Sequence, residues 1–185
     1  MNLTGKELVE RAIIFQLGTY AVPEENIQQH GVDLNLVGVR RVLGGGIIPA
    51  EGKTVLSQYE DVKPKLLESD SDTKPKYRWV LEPGVYDITL AQGCDIPKNQ
   101  RLKLIQRSSL LRNGTMIVSS LFDAGFKTDN IGTVMHVRVP IQIEVGARIC
   151  QAYTDNSNEV ENLYEGQWQG DAQRTDGREE VKNAN

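Results

Sequence analysis

The sequence has few residues of the kinds that build metal centres or disulfide frameworks. Its 185 residues include two cysteines, Cys94 and Cys150, and two histidines, His30 and His136. Two cysteines supply neither a disulfide framework nor the ligand set of a structural zinc site. We therefore expect a chain without a structural metal.

An excess of basic charge is also missing. Lys and Arg together number 21 and Asp and Glu number 25, which gives a formal net charge of −4. A general nucleic-acid binder needs a basic surface, so no nucleic-acid partner is expected. No apolar run approaches the roughly 20 residues of a membrane helix, and the first residues carry charges where a signal peptide would be apolar. These absences predict a soluble, cytoplasmic protein with no membrane partner.

The residues that are present predict one helix followed by many short strands. Thr4 and Glu7 have the spacing of a capping box, and Gly18 lies near the expected end of that helix. Beyond it, short apolar runs broken by Gly, Pro, Asn and Asp are typical of a mainly β fold, an antiparallel barrel or sandwich. The predicted strands are Val32–Val42, Lys76–Leu81, Tyr86–Ala91, Arg101–Gln106, Thr115–Phe122, Gly132–Val139, Pro140–Val145 and Arg148–Tyr153.

Two polar stretches are predicted to lie outside these strands. The charged stretch Gln58–Pro75 is interpreted as a loop or insertion. Residues 1–170 are interpreted as a single β domain, and the polar, aromatic-free residues Asp171–Asn185 as a mobile tail.

One short segment, Arg107–Gly114, interrupts the β pattern. Serines stand where helix N-caps belong, and Asn113-Gly114 stands where a helix would stop. A helix of one or two turns there would direct free backbone N–H groups at an anion, with Ser108 and Arg112 on one face. Taken alone, the pattern fits a plain structural turn better than an anion site.

Several motifs together resemble the dCTP deaminase/dUTPase superfamily, from about Leu3 to Gly170. They occur in the order of the family: an opening helix at Thr4–Ile14, an Asp-Leu strand at Gly31–Leu34, a proline–glycine turn at Leu81–Tyr86, an Arg-Ser-Ser helix at Arg107–Gly114, an aspartate–glycine–aromatic segment at Asp123–Phe126, a Gly-x-Arg-Ile-x-Gln motif at Gly146–Gln151 and a Tyr-x-x-Gln element at Tyr164–Gln167. The resemblance implies a distorted β jelly-roll that assembles as a homotrimer. It also implies active sites between subunits, which bind a deoxynucleoside triphosphate with Mg²⁺ held through the triphosphate.

The family performs two reactions, and one strand distinguishes them. Asp123 matches the aspartate with which a dUTPase orients water for attack on the α-phosphate. A deaminase instead needs the glutamate of a Gly-x-Ile-x-Leu-Glu strand, which corresponds here to Gly132–Val137. Valine stands at the glutamate position, or His136 if the register slips by one, and valine cannot activate water. This favours a dUTP diphosphatase over a dCTP deaminase.

The resemblance also implies the roles of individual residues. Catalysis would involve Asp123 as general base together with Ser108 and Arg112. The residues expected to bind substrate are Arg107, Ser109, Phe126, Gln151, Tyr164, Gln167 and Trp168. Uracil would be read by backbone groups of a Thr115–Phe122 hairpin. Leu163 stands where deaminase-type tails often have lysine, and Arg174 is a candidate to replace that cation.

Other interpretations of these residues stay open. Asp123 is also explained as a turn aspartate, Phe126 as a core residue and His136 as a packed residue. Arg148 is expected to support the site, and Cys150 to be a small core residue. The alternative functions are a dCTP deaminase with a displaced carboxylate, for which Glu144 is the nearest candidate, and a catalytically silent nucleotide-binding regulator.

Overall fold

The structure, a computed structural model, describes residues 2–17, 21–67, 76–156 and 158–170. Its helical elements are α1 (Gly5–Glu10), a 3₁₀ turn (Glu24–Asn26) and α2 (Ser108–Arg112). Its strands are β1 (Ile14–Gln16), β2 (Val32–Gly44), β3 (Gln58–Asp61), β4 (Lys65–Leu66), β5 (Tyr77–Leu81), β6 (Gly84–Leu90), β7 (Gln92–Asp95), β8 (Gln100–Gln106), β9 (Thr115–Ile117), β10 (Leu121–Phe122), β11 (Lys127–Thr128), β12 (Gly132–Val137), β13 (Ile141–Glu144) and β14 (Arg148–Asn156). The predicted mainly β fold is confirmed. No helix in these ranges is long and apolar enough to cross a membrane.

The strands form one large sheet and two small ones. The large sheet has the order β10-β8-β14-β2-β6-β12-β9, with β3 paired to β2, and the small sheets are β1-β7-β11 and β13-β5-β4. Alternate side chains point into a shared apolar core. On β2, for example, Val32, Leu34 and Leu36 are fully buried in it.

Strand β8 determines where the candidate site residues lie. Strand β14 pairs with it along its whole length, and a single residue, Arg107, separates the last residue of β8 from α2. The short strand β10 pairs with the other end of β8, where Phe122 lies opposite Leu102. Ser108 is six residues beyond Leu102, which corresponds to roughly 20 Å of extended chain.

The N-terminal helix is shorter than predicted. The capping box is confirmed, because the Glu7 N–H donates to Thr4 Oγ1 at 3.3 Å and the Thr4 N–H donates to Glu7 Oε2 at 2.8 Å. The helix nevertheless ends at Glu10, and Ala12 adopts a left-handed backbone with φ of 53°. Ile14 then pairs with Cys94 as the first residue of β1. The prediction of a helix through Ile14 is therefore wrong, because sheet pairing overrides the helical pattern, and Gly18 lies outside the described residues.

The assignment of Gln58–Pro75 as a loop is also wrong in part. Part of the stretch Gln58–Pro75 is strand, since β3 pairs with the distal half of β2 and β4 pairs with β5. Their charged side chains are mostly exposed, which is why the sequence resembles a loop. Residues 68–75 and the predicted tail at 171–185 lie outside the described residues.

The stretch Thr115–Phe122 is not a self-paired hairpin. Its first part, β9, pairs with β12, whereas its second part, β10, pairs with β8. Each arm binds a neighbouring strand of the large sheet instead of the other arm. The prediction of a self-paired hairpin is therefore wrong, whereas the reading of uracil by backbone groups of this stretch stays a prediction.

Both cysteines are buried and free. Burial raises the pKa of the Cys94 thiol to about 12, and burial together with the nearby Asp33 carboxylate also raises the pKa of Cys150. The prediction of Cys150 as a small core residue is confirmed.

Candidate functional site

The segment after β8 forms the short helix that the sequence predicts. Helix α2 ends at Asn113, and Gly114 takes the left-handed conformation with φ of 68°. The predicted serine cap is wrong, because Arg107 occupies the N-cap position without a side-chain cap. The Arg107 N–H still donates to the Ile149 carbonyl of the neighbouring strand at 3.0 Å. This hydrogen bond keeps the Arg107 backbone paired with the neighbouring strand, so the helix starts at Ser108.

Beside α2, three polar side chains surround the buried carboxylate of Asp33. Its Oδ2 lies 2.9 Å from Nη1 of Arg107 and 3.6 Å from Nη1 of Arg148. Gln151 Nε2 donates to Oδ1 at 3.4 Å. A side chain at Gly31 would not fit here, because its Cβ would clash with the backbone oxygen of Ala152 and would lie 2.9 Å from Gln151 Cγ. The structure thus brings Arg107, Arg148 and Gln151 together around Asp33, and the roles predicted for them in binding and support stay predictions.

Sequence reasoning did not identify Asp33 as a site residue. The available signal was a charged residue between two apolar residues, Val32 and Leu34. The arginines that cover it come from distant parts of the chain. Their proximity depends on strand register, which the sequence does not reveal.

The remaining predicted residues of α2 are on the surface. Ser108, Ser109 and Arg112 are exposed, while Leu110 is buried and anchors the helix. The hydroxyl groups and the Arg112 guanidinium are thus accessible from outside this chain. We name Asp33, Arg107, Ser108, Arg112, Arg148 and Gln151 the α2 end of the site.

Asp123 lies at the opposite end of β8, in a tight turn. Its carbonyl accepts the Phe126 N–H at 3.1 Å, and Gly125 supplies the left-handed conformation with φ of 84°. The Asp123 side chain is exposed, and no hydrogen bond or ion pair joins its carboxylate to any residue that the structure describes. This leaves both of its oxygen atoms available to a water molecule or a ligand.

Phe126, three residues after Asp123, packs with two other aromatic rings. Its ring centroid lies 5.2 Å from that of Phe122 and 5.4 Å from that of Tyr164. The Tyr164 hydroxyl accepts the Trp168 N–H at 3.2 Å. Phe126 is only 7% exposed, whereas Trp168 is 45% exposed. Within one chain, Phe126 is thus a core residue, and Trp168 presents an aromatic surface.

The C-terminal segment 158–170 is docked on the Asp123 turn. The Tyr164 N–H donates to the Ala124 carbonyl at 2.9 Å. Gln169 donates through Nε2 to the Gly125 carbonyl at 2.8 Å and accepts the Lys127 N–H at 3.1 Å. Asp123, Phe126, Tyr164, Gln167 and Trp168 therefore belong to one region, which we name the Asp123 end. Arg174 lies outside the described residues.

A single chain does not bring the predicted catalytic residues together. Asp123 follows Phe122, which pairs with Leu102 near the start of β8, whereas Ser108 lies just beyond the end of β8. The length of β8 separates the two ends by roughly 20 Å. Asp123 therefore cannot contact the same reacting atoms as Ser108 and Arg112 of its own chain.

Strand β12 shows which side chains stand near the position of the deaminase glutamate. Thr133, Met135 and Val137 are buried, at 8%, 0% and 3% exposure. Gly132, Val134 and His136 are half-buried on the opposite face. Val137 is thus a core residue, and neither face of β12 carries a carboxylate.

Other groups considered from the sequence lie elsewhere. Glu144 is exposed on β13, opposite Arg78 in a different sheet from β12. The described residues include no group of three or more His, Cys, Asp or Glu side chains that could hold a metal ion. Two surface cavities, of about 390 and 450 Å³, are lined by none of the predicted site residues.

Comparisons with known proteins give the chain a family. A family model described as dCTP deaminase-like matches residues 3–153. A protein of Halobacterium salinarum named probable deoxyuridine 5'-triphosphate nucleotidohydrolase is 34% identical over 157 residues, 85% of this chain and 90% of that protein. A deoxyuridine 5'-triphosphate nucleotidohydrolase of Methanocaldococcus jannaschii is 33% identical over 148 residues, 80% of this chain and 89% of that one.

A solved structure supports the fold. The 2'-deoxycytidine 5'-triphosphate deaminase of Agrobacterium tumefaciens superposes with a TM-score of 0.60 at 18% identity. The match covers 83% of this chain but only 47% of the deaminase chain.

Proposed function

The chain belongs to the dCTP deaminase-like family, and within it we propose that the protein is a dUTP diphosphatase, which converts dUTP to dUMP and pyrophosphate. The observation that carries this choice is the absence of a carboxylate on either face of β12. A deaminase needs a group there that activates water and passes protons to ammonia. Relatives named as dUTP nucleotidohydrolases support the same choice.

Asp123 is the proposed general base. Its exposed carboxylate would accept a proton from a water molecule while the water oxygen bonds to the α-phosphorus. The bond between that phosphorus and the bridging oxygen to the β-phosphate breaks, and pyrophosphate leaves. Arg107, Ser108 and Arg112 would stabilise the negative charge that develops on the phosphate oxygens.

We propose that each site combines the α2 end of one chain with the Asp123 end of another copy. The roughly 20 Å between the two ends of one chain supports this arrangement. A homotrimer with cyclic symmetry provides three such sites.

The nucleotide-binding roles of the remaining residues are also proposals. Ser109, Gln151, Tyr164 and Gln167 would bind phosphates or close the site, and Trp168 would cover the base or sugar. Stacking of Phe126 on the deoxyribose requires the segment 158–170 to move, because Tyr164 now lies against the Phe126 ring.

Mg²⁺ would enter with the substrate. The described residues do not form a carboxylate cluster that fits a resident ion, whereas arginines at the α2 end suit phosphate oxygens. When bound, Mg²⁺ would neutralise part of the triphosphate charge.

A product assay tests the proposed function. Purified protein is incubated with Mg²⁺ and either dUTP or dCTP, and the products are separated by chromatography. We expect dUMP and pyrophosphate from dUTP and no change in dCTP. Release of ammonia from dCTP would select the deaminase instead, and binding without turnover would select the silent regulator.

The variant Asp123→Asn tests the proposed base. Loss of the proton acceptor should lower kcat by about 10²–10⁴-fold, while binding of an α,β-imido analogue of dUTP stays near that of wild type. Asp129→Asn is the matched control, because it removes an exposed carboxylate from the same part of the chain. Hydrolysis at the wild-type rate by Asp123→Asn would show that Asp123 is not the base.

A further inference from the structure

Asp33 lies on the outer face of β2 and is nevertheless buried. Its neighbours Val32 and Leu34 are fully buried in the core, so alternation along the strand turns Asp33 to the opposite face. There its side chain is only 4% exposed, because the side chains of Arg107 and Arg148 cover it. The carboxylate is thus surrounded by the two arginines and Gln151 and does not lie in the apolar core.

The two arginines share a single oxygen atom of Asp33. Both Nη1 atoms lie within ion-pair distance of Oδ2, at 2.9 Å for Arg107 and 3.6 Å for Arg148. Two guanidinium groups held at one atom repel each other, and the carboxylate between them offsets that repulsion. The trio carries a net charge of +1, so it retains an attraction for anions.

Each arginine keeps part of its side chain accessible. A guanidinium has five N–H donors, and the side chains of Arg107 and Arg148 are still 35% and 34% exposed. Arg148 Nη1 also donates to the Glu25 carbonyl, which fixes it from a second side. The donors that face outward are therefore held in a defined orientation.

An ordinary surface cluster on the same sheet looks different. Asp155 lies 2.5 Å from Lys103 and 3.8 Å from Arg101, but its own side chain is 23% exposed. Water competes for those charges, and such pairs hold their partners loosely. Because Asp33 is almost fully buried, water competes less for its charge. It therefore restricts the orientation of its two guanidinium partners more than Asp155 restricts its partners.

We propose that Asp33 is a positioning residue that holds Arg107 and Arg148 as one two-guanidinium clamp for the phosphate chain of the substrate. Planar guanidinium groups bind phosphate oxygens with paired hydrogen bonds, and two of them side by side suit a polyphosphate better than a single phosphate. The clamp adjoins Ser108 and Gln151 at the α2 end. This inference rests on the proposed function for the identity of the substrate.

Asp33→Asn tests the clamp by the sign of its effect. The substitution keeps the size of the side chain and removes a negative charge, which makes the net charge of the site more positive. Charge alone would therefore tighten phosphate binding. Loss of positioning weakens it. We expect the affinities for inorganic tripolyphosphate and for the α,β-imido analogue of dUTP to fall about tenfold. The affinity for dUMP should stay within about twofold of wild type, with all three measured by isothermal titration calorimetry on the full chain.

Two further variants separate positioning from a general loss of structure. Asp87→Asn is the matched control, because Asp87 is a carboxylate of 16% exposure that pairs with Arg40 at 2.6 Å away from the α2 end. It should leave all three affinities unchanged. Arg148→Gln completes a double-mutant cycle, in which the effects of Asp33→Asn and Arg148→Gln should be clearly less than additive.

Tripolyphosphate has no base and needs no hydrolysis, so it tests the clamp independently of the enzymatic reaction. Unchanged or tighter binding by Asp33→Asn would overturn the inference. Equal weakening of dUMP would also overturn it, because a merely structural role affects every ligand. Failure of the wild-type chain to bind tripolyphosphate would do the same. Absence of dUTP hydrolysis together with a tripolyphosphate-selective clamp would overturn the proposed function alone.

Discussion

The two ends of strand β8 are built in different ways. At the α2 end, ion pairs around the buried Asp33 fix the orientation of Arg107 and Arg148. At the Asp123 end, backbone hydrogen bonds and packed aromatic rings fix a turn, and the Asp123 carboxylate is left without a partner among the described residues.

In the proposed function, this difference separates two tasks that conflict at close range. Arginines that bind phosphate would also neutralise a nearby carboxylate and make it a weaker base. The length of one strand keeps the two groups apart in each chain. Assembly of two copies would bring them together only around a substrate.

The largest expected effect comes from mixing two inactive variants. Asp123→Asn lacks the base at one end, and Arg112→Ala lacks a cation at the other. If each site takes one end from each of two copies, an intact site combines the α2 end of an Asp123→Asn chain with the Asp123 end of an Arg112→Ala chain. In random mixed trimers this is expected at about a quarter of the sites. Co-expressed and co-purified mixtures should therefore recover about a quarter of wild-type dUTP hydrolysis.

The controls for this experiment are the separately expressed variants, mixed without subunit exchange. They should remain inactive. No recovery in mixed trimers of verified composition would show that both ends of the site come from the same chain.

A smaller effect is expected when the aromatic support of the Asp123 end is removed. Phe126→Ala deletes a ring that packs against Phe122 and Tyr164, which should lower the free energy of unfolding by about 3 kcal/mol. Phe126→Leu, which keeps most of the volume, should lose about 1 kcal/mol. Denaturant titration measures both values.

Phe126→Ala also tests whether the two ends of β8 act independently. Tripolyphosphate binding at the α2 end should be unchanged in folded Phe126→Ala, because the length of β8, roughly 20 Å, separates Phe126 from the clamp of its own chain. Weaker tripolyphosphate binding would mean that the Asp123 end, in the same chain or in the copy that shares the site, acts on the clamp.

The smallest effect concerns a helix cap that belongs to neither end. Thr4→Ala removes the N-cap of α1 and should cost about 1 kcal/mol at pH 7, with Thr4→Ser as the conservative control. Hydrogen bonds from Thr4 lower the pKa of Glu7 below its ordinary value of 4.5. Because the pKa of Glu7 is lower in the folded state, ionised Glu7 stabilises the protein at pH values above its pKa in the unfolded state. This contribution is lost as the pH falls through its pKa in the folded state.

The difference between wild type and Thr4→Ala should therefore be smaller at pH 3 than at pH 7. Unfolding midpoints at the two pH values measure it. An equal difference at both would show that the hydrogen bond from the Thr4 hydroxyl to ionised Glu7 contributes nothing to the cap.

The elements that local chemistry determines could be predicted from the sequence. The Thr4–Glu7 capping box and the stop at Asn113-Gly114 depend on residues within one or two turns of each other. The long strands β2, β8 and β14 were recognisable because apolar residues alternate along them. The mainly β class follows from their number.

The elements that tertiary pairing determines could not be predicted in the same way. Strand β7 contains Gln92, Gly93 and Asp95, which lack a β pattern, and it exists because β1 and β11 pair with its two edges. The buried Asp33 was visible as a polar residue in an apolar strand. Its partners were not, because register alone brings Arg107 and Arg148 to it.

The burial of both cysteines makes the chain convenient for labelling. Cys94 and Cys150 are fully buried, and the pKa of each thiol is raised, so both react poorly with maleimide dyes in the folded protein. A cysteine introduced at an exposed position, such as Lys53, would be the one reactive thiol. Donor- and acceptor-labelled copies could then report subunit exchange by fluorescence energy transfer, without removing a native residue.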